Sequence, residues 1–182
     1  MTTVRIQKLH SKRTPWEVFQ GVYAFYPTAF FLDSLSYQPP AQRYSFIGWN
    51  PFAEVRVMGK KLTVTENGRQ SHKQVSALWP TLRRLMRKYK PQRCPDVPYF
   101  TGGAVGFWGY EMAAFFEPLK FRKKTRWGQV PDLHLGFYRS VVIYDHKTHC
   151  YYLAAQDQTG SIFKEMRAFV SPASVVPEEK RC

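Results

Sequence analysis

Along this chain the apolar residues come mostly in strand-length runs, each closed by a turn signal, and that spacing limits what the chain can fold into. Thr28 to Leu35 and Arg43 to Trp49 are β-rich and are joined by the turn-prone Tyr37-Gln38-Pro39-Pro40. Ala53 to Met58 and Leu62 to Glu66 alternate apolar with polar residues around Gly59-Lys60-Lys61, which predicts an antiparallel meander. Gly136 to Asp145 and Cys150 to Ala155 flank His146-Lys147-Thr148-His149 and read as a β-hairpin. Strands outnumber helices and cluster in hairpins, so the pattern fits an α+β fold better than a doubly wound sheet.

The helical segments carry their own signals. Thr14-Pro15-Trp16-Glu17 offers a cap, a first-turn proline and a capping-box glutamate ahead of Val18, Val22 and Phe25, predicting a short helix that ends near Pro27. Val75, Leu78, Trp79, Leu82, Leu85, Met86 and Tyr89 recur at helical spacing, with Arg83, Arg84, Arg87 and Lys88 on the other face. With Ser76 as the cap, Pro80 falls in the first turn, where backbone N–H groups have no intrahelical partner, and so fixes the start of the helix. Tyr110 to Glu117 predicts a short helix, Phe121 to Val130 a basic loop, and Ser161 to Val170 a last helix. The expected organisation is a basic lead-in over residues 1–13, one globular domain over 14–155, and a short helix with a tail or linker over 156–182.

At 182 residues the chain can bury a core without staples, and 44% hydrophobic with 16% aromatic residues is too apolar for disorder. No run of about 18 apolar residues and no N-terminal apolar h-region occur, so no membrane association and a cytoplasmic location are expected. Three widely spaced cysteines, Cys94, Cys150 and Cys182, predict reduced thiols rather than a disulfide framework or zinc site. The formal charge of +14 is extreme, and its densest sources, Arg83 to Arg93 and Lys120 to Arg126, contain no acid. A nucleic-acid or acidic-protein surface is therefore one option. A basic run is more often a solvated face, however, and neither cluster contains a motif that reads RNA or DNA.

Chemistry-bearing motifs are few. Gly102, Gly103, Gly106 and Gly109 match neither the dinucleotide fingerprint nor the phosphate loop, and glycines spaced by three in an apolar strand instead let a neighbouring backbone approach. Asp145, His146, His149 and Cys150 flank a tight turn and lack a second cluster to complete a metal site, so turn residues are expected there. No nucleophile elbow, no recognisable catalytic cysteine and no carboxylate cluster for magnesium or acid–base work is present, so no catalytic and no metal residue is assigned. Ser34 and Ser45 read as structural or ligand-contacting rather than nucleophilic. Asp33-Ser34 closes the apolar run Ala29 to Leu32, and either ends a strand in a turn or presents a carboxylate and a hydroxyl to a small ligand such as an amino acid.

Three segments in order carry a resemblance: Phe30-Phe31-Leu32-Asp33-Ser34 with Arg43-Tyr44-Ser45-Phe46-Ile47-Gly48; the stretch from Pro98 to Glu111; and Pro131-Asp132 leading to Val142-Ile143-Tyr144-Asp145-His146. Together they resemble the N-terminal domain of component I of anthranilate synthase and of aminodeoxychorismate synthase, which use chorismate in tryptophan and folate biosynthesis. The resemblance implies half of an orthogonally packed β-sandwich with outer helices, completed by a C-terminal chorismate-binding domain that is absent here. It implies no cofactor in this chain, with Mg2+ and the catalytic residues in the absent half, so that the chain alone is inactive. The partners implied are that half, a glutamine amidotransferase subunit and an L-tryptophan effector. Leu32, Asp33 and Ser34 match the leucine–acid–serine hallmark of the tryptophan pocket. A stand-alone amino-acid- or partner-binding module and a basic nucleic-acid-binding protein are the alternatives.

Overall fold

The computed structural model describes residues 4–34, 43–90, 94, 97, 99–117, 130–171 and 178–181. The expected Tyr37–Pro40 turn, Pro98, the Lys120–Arg126 cluster and residues 91–93 of the other basic cluster lie outside them. The chain divides into two compact units, the first made of Met1–Pro51, Pro91–Gly103 and Tyr138–Cys182, the second of Phe52–Lys90 and Ala104–Phe137.

The first unit is built on a six-stranded sheet. Its strands are β1 (Arg5–Leu9), β2 (Ala29–Leu32), β3 (Tyr44–Trp49), β9 (Ser140–Asp145), β10 (Cys150–Ala155) and β11 (Glu178–Arg181), in the order β11-β1-β10-β9-β3-β2. Successive pairs are antiparallel, with Ile47 opposite Val142 and Val142 opposite Leu153. Because strand side chains alternate between faces, that row points one way, and Phe46, Ile143 and Tyr152 point the other. Helices α1 (Pro15–Phe25) and α3 (Ser161–Val170) cover the first face with Val18, Val22, Phe163, Met166 and Val170. Cys94, Val97, Tyr99 and Phe100 pack on the second. Both faces of the central strands are thus buried, each large apolar side chain contributing about 1.5–3 kcal/mol.

Helix α1 starts as its sequence predicts: Thr14 caps, Pro15 opens the first turn, and the reciprocal capping box with Glu17 forms. Helix α3 solves the same problem differently, since its cap Gly160 has no side chain to offer. Asp157 takes over, one carboxylate oxygen accepting from the N–H groups of Thr159 and Gly160 and the other from those of Ile162 and Phe163 at 2.8 and 3.2 Å. Burial pushes this carboxyl up, but the N–H groups of Phe163, Gly160 and Thr159 and the Thr159 hydroxyl outweigh it and hold it below the usual carboxylate range.

In the second unit β4 (Ala53–Met58), β5 (Lys61–Glu66), β6 (Arg69–Gln74), β7 (Gly103–Trp108) and β8 (Leu133–Tyr138) form a five-stranded sheet in the order β6-β5-β4-β8-β7. Ala53, Val55 and Val57 of β4 meet Leu133, Leu135 and Phe137 of β8, under Leu78, Leu82 and Tyr89 from helix α2 (Leu78–Lys88) and its C-cap. A 3-10 helix over Tyr110–Phe115 adds Met112. Asp132 ties three elements together: its N–H donates to Val57, its carbonyl accepts from Gly109, and its carboxylate accepts from the N–H of Gly59 at 2.6 Å. Gly106 lets β8 come close, since a Cβ there would overlap the His134 carbonyl, as the glycine spacing predicts.

Several expectations need correction. The lead-in contains β1, flanked by β10 and β11, so Arg5–Leu9 before residue 14 and Glu178–Arg181 after residue 155 belong to the sheet. Gly136 to Asp145 is not one strand, because it changes sheets between β8 and β9. The α2 cap is Ala77 rather than Ser76 and makes no side-chain hydrogen bond, while Pro80 does sit in the first turn. Cys94 is disulfide-bonded, leaving Cys150 as a free thiol among the described residues.

Candidate functional site

Strand β2 lies at the edge of the first sheet, and its pairing with β3 ends at Leu32 opposite Phe46. The next two residues, Asp33 and Ser34, therefore run alongside Ser45 and Tyr44. Ser34 donates its hydroxyl to the Tyr44 carbonyl at 2.9 Å and its N–H to the Ser45 hydroxyl oxygen at 3.1 Å. Ser45 is buried and donates to the exposed Asp33 carboxylate at 2.7 Å. Its oxygen also lies 2.6 Å from Nε2 of His146.

The corner presents acceptors. The Ser34 hydroxyl has spent its proton on Tyr44 and keeps lone pairs for a ligand, and the Asp33 carboxylate carries negative charge at the surface. Leu32 beside them is half exposed. An ammonium group next to an apolar side chain matches that set. The three residues singled out from sequence are thus contiguous at one sheet edge.

A second link backs the corner. Arg43 grips Asp145 in a bidentate pair at 3.0 and 2.8 Å, and the N–H of Lys147 donates to the same carboxylate at 2.9 Å. Burial raises the Asp145 carboxyl, and these donors lower it by more, so it rests below the usual range. The His146 N–H donates to the Arg43 carbonyl at 2.9 Å. The start of β3 is in this way fastened to the β9–β10 turn.

The turn residues are engaged with neighbours: His149, in the left-handed region at φ 53°, lies 3.2 Å from the Tyr144 hydroxyl, and His146 meets the Tyr144 ring edge-on at 4.9 Å. Among the described residues no group of three His, Cys, Asp or Glu side chains converges as a metal ion would require. No helix among them is long and apolar enough to cross a membrane. Sequence reasoning read Ser45 as structural or ligand-contacting and placed His146 only in a turn; nothing local to either residue signals that the β2–β3–β9 register joins Ser45 to Asp33 and to His146.

Residues 7–179 match the family model described as chorismate binding enzyme. Anthranilate synthase component 1 of Acetivibrio thermocellus is 34% identical over 118 residues, covering 64% of this chain and 24% of the relative. The same component of Methanothermobacter marburgensis is 27% identical over 143 residues, covering 78% of this chain and 29% of the relative. The crystal structure of anthranilate synthase component I from Streptococcus pneumoniae superposes with a TM-score of 0.54 at 23% identity, over 76% of this chain and 31% of that one, which shows the shared α+β fold. The chain spans under a third of the length of these relatives.

Proposed function

The chain belongs to the chorismate binding enzyme family, and on that premise we propose that it is the N-terminal portion of component I of a chorismate-utilising synthase, anthranilate or aminodeoxychorismate synthase. The portion is non-catalytic, serves as scaffold, and contributes part of an L-tryptophan site. Turnover then requires a chorismate-binding half, on a partner or on the same polypeptide, together with a glutamine amidotransferase subunit that supplies ammonia. On this reading Mg2+ belongs with that half. We place it in the cytoplasm.

The observation that carries the reading is the Leu32–Asp33–Ser34 corner, which displays a carboxylate and a hydroxyl acceptor at a sheet edge in a chain matched to this family over residues 7–179. An α-ammonium pairs with Asp33, and Ser34 accepts a second hydrogen bond from the ligand.

The test is co-expression with a chorismate-binding half, assayed for Mg2+- and ammonia-dependent loss of chorismate with and without L-tryptophan. Restored turnover, inhibited by L-tryptophan and released from inhibition by about tenfold or more in Ser34→Ala, is expected, a hydrogen bond to a charged ligand group being worth that much. Full turnover from the purified chain alone would sink the proposal. Neither complex nor turnover would favour a stand-alone amino-acid-binding module.

A further inference from the structure

Ser45 carries one hydroxyl proton and two lone pairs, and three groups surround its oxygen. An ionised carboxylate only accepts, so the proton goes to Asp33 at 2.7 Å. The Ser34 N–H only donates and takes one lone pair at 3.1 Å. One lone pair remains for His146, whose Nε2 at 2.6 Å must therefore be the donor. The order of the three side chains also excludes nucleophilic use, since in a catalytic triad the imidazole lies between acid and hydroxyl and removes the hydroxyl proton. Here the hydroxyl lies between acid and imidazole, and the imidazole supplies a proton toward it.

The imidazole is well held. Its backbone N–H donates to Arg43 at 2.9 Å, and its ring stands perpendicular to that of Tyr144 at 4.9 Å. Tyr144 in turn packs on Tyr151 at 4.8 Å, a ring that is fully buried and whose hydroxyl donates to the Arg13 carbonyl. The direction of the Nε2–H is thus set by the interior of the unit, and Ser45 passes it to the exposed carboxylate.

We propose that Ser45 and His146 are positioning residues of the amino-acid corner: His146, fixed as the Nε2–H tautomer, orients the Ser45 hydroxyl so that it holds one Asp33 oxygen and leaves the other to the ligand ammonium. The proposal deepens the effector reading of Asp33 and Ser34 and rests on it for the ligand, whereas the tautomer is a property of the chain alone.

Nitrogen NMR of the imidazoles in the full chain is the first test. His146 is expected as one Nε2–H tautomer in the wild type and in Ser45→Thr, which keeps a hydroxyl, and as a mixture in Ser45→Ala. An Nδ1–H tautomer, or an unchanged spectrum in Ser45→Ala, overturns the proposal. The second test is L-tryptophan affinity of the chain joined to a chorismate-binding half. Ser45→Ala and His146→Leu should weaken it by about tenfold, the loss of one charge-linked hydrogen bond. His146→Gln, whose amide N–H can replace the imidazole donor, should restore it, and wild-type affinity in His146→Leu overturns the proposal. A wild-type protein that ignores L-tryptophan refutes the effector reading, and the tautomer then decides the lock by itself.

Discussion

The two units spend their polar residues differently. Of the six buried polar or charged side chains among the described residues, Gln7, Ser45, Thr101, Asp145 and Asp157 lie in the first unit and only Asp132 in the second. The sequence of the second unit carries 15 Lys and Arg against 5 Asp and Glu, compared with 12 against 8 in the first. It also exposes about half of Trp79, Trp108 and Phe116, which lie together with ring centroids 6.2 to 6.4 Å apart. The first unit is therefore specified by paired polar groups inside, and the second by an apolar interior under a positive surface. Buried pairs fix a geometry that a small ligand can read, which is why the candidate site falls where it does.

The largest effect should be one the units share. Leu153→Ala in the first and Leu133→Ala in the second each truncate a fully buried leucine and should cost about 3 kcal/mol in urea unfolding. A much smaller cost in one would mean that its interior collapses around the gap, and the contrast would then be one of packing rather than polarity. Asp157→Ala should come next at about 2 kcal/mol, because it orphans the first N–H groups of α3 and removes a negative charge from the helix N-terminus. A neutral result would show that Gly160 and Ser161 cap the helix unaided, and would weaken the case for polar specification of the first unit.

Acid should separate the units by a smaller margin. The folded carboxyls of Asp145 and Asp157 are depressed, so the stability they give is present above the unfolded value near pH 4 and is lost as the pH falls through the folded values. In the second unit Glu54 is also depressed, burial raising it and His134 and Arg56 lowering it by more, but it is partly exposed and screened. Amide exchange corrected for intrinsic rates should therefore show α3 losing more protection than β4 between pH 6 and pH 3. Equal losses would remove the distinction.

Legibility in the sequence followed the range of the contacts rather than the boundary between the units. A capping box announced α1, apolar periodicity announced α2, and apolar runs about a turn announced the β9–β10 hairpin, because each rests on neighbours in sequence, and Ser161 to Val170 also read as a helix. Strand β6 was missed because Arg69 to Gln74 has no buried residue to show a period, although Asn67-Gly68, both at positive φ, is the dipeptide of a tight hairpin turn. Strand β1 was missed because its short run of Ile6 and Leu9 amid cations takes its place only through β10. Asp33 and Ser34 were visible as an acid and a hydroxyl at a strand end, but Ser45 and His146 reach them across register, from 12 and 113 positions away in sequence, and no local pattern encodes that.

The smallest prediction tests whether the positive charge of the second unit is surplus. On α2, Arg84 and Lys88 stand four residues apart on one helix and repel, and Arg83 with Arg87 repeats the arrangement. Arg84 is exposed and lies outside the apolar core, so Arg84→Glu removes a repulsion from Lys88 and sets a second carboxylate beside its ammonium, which already pairs with Glu66, without disturbing packing. Thermal unfolding at low salt should show a gain of about 0.5 kcal/mol that shrinks as salt is added. A loss of stability would mean that the cation at this position is already balanced by a negative group, and the second unit would then be specified by charge pairing in the same way as the first.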